Sequence, residues 1–149
     1  RFDAMIEPVK VKVVIAGHGE LPRMQIFRYI ELVLFHGFVE NGLFNQLVAS
    51  TDLMLLPYRQ ATQSGVLLKA ISYNVPVITS PEERLTCYLR QDVACKILPL
   101  ENLQLWVDQL KYFLEHREEL KQMSINISLY RKEYEPKEIV KQLYFWPSD

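Results

Sequence analysis

The sequence has little that would tie it to a membrane, a metal or a nucleic acid. No apolar run reaches the roughly 18–20 residues that a bilayer-spanning helix needs, and no signal peptide opens the chain. Lys and Arg number 17 against 18 Asp and Glu, a formal net charge of -1. No excess of either sign would draw the chain to nucleic acid or to an anionic membrane surface. The two cysteines, Cys87 and Cys95, lack the spacing of a metal site and are expected as reduced thiols of a cytosolic protein. An Asp-x-Asp signature for a divalent ion is missing, as are internal repeats and low-complexity linkers. The chain begins at Arg1 rather than at methionine, from which we expect a piece of a longer protein.

What is present is ordinary globular composition, 49% hydrophobic and 23% charged over 149 residues. That suffices for a single domain, residues 1–149, with its own core. Short apolar strands are expected at Lys10–Ala16, Glu31–Phe35, Asp52–Leu56, Val75–Thr79 and Val93–Leu98, each stopped by glycine, proline or small polar residues. Helices are expected between them. One runs over Leu21–Ile30, one over Asn41–Ser50 with Asn41 as its cap, one over Ser64–Tyr73, and a short one over Glu82–Arg90. Three more follow, over Glu101–Glu115, Arg117–Tyr134 and Pro136–Tyr144. Strands that are continuously apolar and alternate with helices predict an α/β fold, a parallel sheet with helices on both faces and a helical C-terminal tail. In such sheets ligands bind beyond the carboxyl ends of the strands, near helix N-termini.

Two stretches lie at such ends. Ala16-Gly17-His18-Gly19-Glu20 follows the first strand. Its two glycines let a ligand approach the backbone, but the third glycine of a dinucleotide fingerprint is absent. A plain turn is the alternative reading, with His18 a turn residue. The second stretch is Pro57 to Ser80, where Gln63, Ser64 and Gly65 lead into a helix. A helix N-terminus offers unpaired N–H groups and the positive end of the dipole, both suited to phosphate. Ser64 either caps the helix or bonds a phosphate oxygen, Gly65 removes obstruction, and Arg59 adds a charge-assisted contact. Glu82 or Glu83 could bond sugar hydroxyls or simply favour the start of a short helix. His36 stands at the end of the second strand, while His116, Arg117, Glu118 and Glu119 read as a solvated helical junction.

The ordered segments "VVIAGHGE", "FHGFVENGLFNQLVASTDLMLLPYR" and "TQSGVLLKAISYNVPVITS" resemble the C-terminal, donor-binding domain of a GT-B fold glycosyltransferase of the glycogen-synthase-like group 1 (GT4) type. The resemblance covers about Val11 to Leu120. It implies a Rossmann-like half of a two-domain enzyme that binds a nucleotide-sugar, a UDP- or GDP-sugar, as substrate, with no further cofactor and no metal. It implies that Gly17 and Gly19, with His18 between them, line the donor cleft and that the amides of Ser64, Gly65 and Val66 cradle the diphosphate, with Gln63 and Arg59 beside them; Lys69 faces phosphate or solvent. The catalytic residue stays unassigned. Many family members carry two glutamates around this loop, for donor sugar and ribose; here those places hold Ala61 and Lys69, and the loop resembles a TQSGV-type variant. Lys69 does not accept hydroxyl hydrogen bonds as a carboxylate does.

The same resemblance implies a first strand and an N-terminal acceptor-binding domain that precede this stretch in the family. It implies transfer of a hexose to a glycan or lipid-linked acceptor in polysaccharide biosynthesis, with retention of configuration. The expected location is cytoplasmic, with peripheral contact at the inner membrane face through the other domain. Two alternatives stand beside this reading: a degenerate, non-catalytic GT-B-like interaction module, motivated by Ala61 and Lys69, and a GT-B-fold epimerase.

Overall fold

The computed structural model describes residues 10–18, 30–60, 64–82 and 94–133. Their elements come in the expected sequence order: β1 (Val11–Gly17), β2 (Ile30–His36), α1 (Asn41–Ala49), β3 (Met54–Leu56), α2 (Gly65–Ser72), β4 (Val77–Thr79), β5 (Cys95–Ile97), α3 (Leu103–Glu115) and α4 (Arg117–Glu133). Every strand pairing among the described residues is parallel.

The side chains of β3, β4 and β5 alternate between two cores. Leu56, Val77 and Cys95 point to one face, where Val48 of α1 and Leu67 and Ala70 of α2 cover them, with Met54 and Ile97 at the margin. Ile78 points to the other face, against Trp106 and Phe113 of α3 and Met123 of α4. This sheet is therefore clad by helices on both sides, which is why its strands tolerate continuous apolar runs. The helix α4 packs on α3 and also reaches α2. There the Arg131 guanidinium donates to the carbonyl oxygen of Ser72, the last residue of α2, complementing the negative end of that helix.

The strands were expected in one sheet; the described ones form two, β1-β2 and β3-β4-β5. No residue of β1 or β2 is buried, and Val14, Ile15 and Leu34 are each about two-fifths exposed, at 38%, 40% and 39%. The ribbon is held by its own ladder and by a surface ion pair, Lys12 to Glu31 at 3.4 Å, across a register that places these residues opposite each other. A pair so exposed adds little stability.

Local chemistry corrects two further expectations. Asn41 is the first helical residue of α1; the cap position is Glu40, and no side chain bonds the free amides there. Asn41 already has helical backbone angles, so its side chain lies past the point from which a cap reaches back. Ile30 opens β2 rather than closing a helix; the rest of the expected helix lies outside the described residues, as do most of the short helix after Glu82 and the one after Pro136. Among the described residues no helix is long and apolar enough to cross a membrane, and no cluster of His, Cys, Asp and Glu could hold a metal ion.

Candidate ligand site at the amino end of α2

The chain leaves β3 at Leu56 and returns into α2 at Gly65. Ser64, extended and only 9% exposed, is the cap residue. Its Oγ accepts the N–H of Leu67 at 3.1 Å, and its carbonyl oxygen accepts the N–H of Leu68 at 3.1 Å. Of the two roles open to Ser64, the cap is the one observed. Helix geometry gives the N–H groups of Gly65 and Val66 no acceptor within α2, so the two donors remain for whatever arrives at the helix start. A Cβ added to Gly65 would meet nothing within 4 Å. Among the described residues the space at the Gly65 Cα is open, and glycine is not demanded there by packing.

Polar groups at the ends of β3 and β4 brace this start. Tyr58 Oη lies 3.3 Å from Ser64 Oγ. The Tyr58 carbonyl oxygen accepts the Ser80 hydroxyl, and its N–H donates to Leu56 O at 2.9 Å. Thr79 Oγ1 donates to the same Leu56 oxygen at 3.1 Å. Thr79 and Ser80 are 0% and 1% exposed, and their hydroxyls are satisfied by these backbone acceptors, as burial demands. The sequence did not mark Tyr58, Thr79 or Ser80 as functional. The one available signal was two hydroxyl residues ending the apolar run Val75–Ile78.

Arg59 is exposed on the loop after Tyr58. Lys69 is half-buried one turn beyond Gly65, in the last turn of α2, on the same helix face. A cation there also suits the helix dipole without any ligand. Glu82 is half-buried just past Ser80, and its N–H donates to Ser80 O at 2.8 Å. Gln63, Gly19, Ala61 and Glu83 lie outside the described residues.

Gly17 and His18 close β1 at the carboxyl end of the other sheet. Gly17 has φ +143 and Gly37, past the end of β2, has φ +104, conformations that favour glycine. Gly37 N–H donates to Gly17 O at 2.8 Å, and the His18 ring lies 4.0 Å from where a Gly37 Cβ would stand. His36 is exposed at the end of β2. The two clusters thus share the strand-end position that parallel sheets use for ligands. They stand on separate sheets.

A family model described as glycosyl transferases group 1 matches residues 2–116. Among solved structures the chain is similar to Anabaena HepE, whose crystal structure is in complex with UDP-glucose, with a TM-score of 0.58 at 13% identity, over 80% of this chain and 33% of that one. At that identity the likeness is one of fold, and the chain spans about a third of that protein's length. No curated protein matches the chain.

Proposed function

Since the chain belongs to the group 1 glycosyltransferases, we propose that it is the donor-binding half of such an enzyme, holding a UDP- or GDP-sugar with its diphosphate at the amino end of α2. The observation that carries this reading is the start of that helix: a Ser64-capped turn, two N–H groups without helical acceptors and open space over Gly65. These donors, at the positive end of the dipole, favour the diphosphate and favour it more as it departs with a full charge. Arg59 and Lys69 supply cationic charge on either side of the loop. The UDP-glucose bound by HepE supports a nucleotide-sugar as the ligand class. Gly17 and His18 complete the cleft in this reading, and Gly19, Gln63 and Val66 belong to it.

The sugar passes to a glycan or lipid-linked acceptor held by a separate N-terminal domain of the same protein, in the cytoplasm and in polysaccharide biosynthesis. The parallel orders β1-β2 and β3-β4-β5 are compatible with parts of a doubly wound sheet. Lys69, in place of a carboxylate, favours the second reading, a non-catalytic module that keeps the fold.

Calorimetric titration of UDP- and GDP-sugars separates the two. The enzyme reading expects one of them to bind with Kd below about 1 mM. Absence of binding by the folded protein would reject that reading and leave the module.

A further inference from the structure

We propose that Tyr58 is a positioning residue: its phenol donates to Ser64 Oγ and so turns the Ser64 hydroxyl hydrogen outward, to be given to the diphosphate at the start of α2. The inference rests on the donor-site reading above and goes beyond it by naming the group that makes Ser64 a donor.

A serine hydroxyl carries one hydrogen and two lone pairs. The Leu67 N–H, at 3.1 Å, fills one lone pair. Tyr58 Oη, at 3.3 Å, is the other neighbour of the oxygen among the described residues. Either hydroxyl could donate across this contact; the phenol is the more acidic of the two and the better donor, and in the proposed arrangement its hydrogen fills the second lone pair. The Ser64 hydrogen then has no acceptor in this network. With Ser64 only 9% exposed, an unsatisfied O–H is costly, and an anion at the helix start relieves it. Without Tyr58 the same hydroxyl is free to rotate, and its role as donor to the ligand is no longer set in advance.

The phenol is held in place for this task. Its backbone is bonded on one side to Leu56 and on the other to Ser80, and its ring packs at the margin of the core beside α2. Tyr58→Phe keeps that ring and removes only the donor.

The test is a double-mutant cycle on UDP and uridine binding, with Tyr58→Phe, Ser64→Ala and the two combined. Ser64→Ala should weaken UDP about tenfold, the scale of one hydrogen bond to a charged group, and Tyr58→Phe about threefold, since the hydroxyl remains and only its orientation is lost. Uridine, which lacks the phosphates, should bind all three variants within about twofold of wild type. The combined variant should be no weaker than Ser64→Ala alone, because Tyr58 acts through Ser64. Tyr58→Phe binding UDP as wild type does would overturn the proposal; so would an equal loss for uridine, or additive losses. Failure of the folded wild type to bind UDP would instead sink the donor-site reading on which the proposal stands.

Discussion

Thr79 Oγ1 donates to the carbonyl oxygen of Leu56 at 3.1 Å, joining the last residues of two paired strands inside the protein. The same oxygen accepts the Ser80 N–H at 3.3 Å. The carboxyl ends of β3 and β4 are thereby locked together where the loop to α2 begins. Thr79→Val keeps the shape and removes the hydroxyl, while Leu56 O retains its bond from Ser80. The expected loss is about 1 kcal/mol, read as a lower urea midpoint with an unchanged slope.

Gly65 separates folding from binding. Glycine in a helix interior is less favourable than alanine by about 0.5–1 kcal/mol; Gly65 opens the helix, so a smaller gain is expected there, with open space to receive the methyl group. Gly65→Ala should therefore raise the unfolding midpoint while placing a methyl group over the exposed amides and weakening UDP severalfold. Thermal melts and a UDP titration on the one variant should move in opposite directions. An unchanged UDP affinity would remove the amides of Gly65 and Val66 from the site.

Leu67 and Leu68 are neighbours with opposite surroundings, 1% and 54% exposed. Leu67→Ala empties space between α2, Val48 and Val75 and should cost about 3 kcal/mol. Leu68→Ala should stay within about 0.5 kcal/mol of wild type. Chemical denaturation of the pair checks which face of α2 is the buried one.

At the junction of α3 and α4, Tyr112 donates its phenol to the Glu119 carboxylate and stacks on His116 with centroids 4.2 Å apart. The bond to Glu119 raises the Tyr112 pKa above 10.0, with lesser help from desolvation and the carboxylate charge. A folded-state pKa above the unfolded one means that the contribution is complete below about pH 10. It is lost as pH rises through the folded value. Phenolate absorbance should show Tyr112 titrating late, and Glu119→Gln should bring it back toward the ordinary value. A titration unmoved by that substitution would dissociate the pair.

The order of elements was legible because the apolar runs are short and sharply punctuated. Gly17 ends a strand where backbone must turn, and Ser64 precedes an amphipathic run as a cap should. Asn41 carried the same signal and proved helical, since capping is decided by backbone angles that the residue type does not fix. The two-sheet arrangement was hidden, because Val13-Val14-Ile15 reads as a buried strand whether or not other elements cover it. The Tyr58, Thr79 and Ser80 bonds were hidden too. Tyr58 and Ser80 are 22 positions apart, a separation at which no local pattern carries information.

The central claim is that a nucleotide-sugar sits with its diphosphate on the first amides of α2. Backbone amide shifts followed during a UDP-glucose titration test it most directly. Saturable changes are expected, largest at Gly65 and Val66, with further changes at Gly17 and His18. No saturable change, or changes confined to a remote region such as the Tyr112–Glu119 junction, would contradict it.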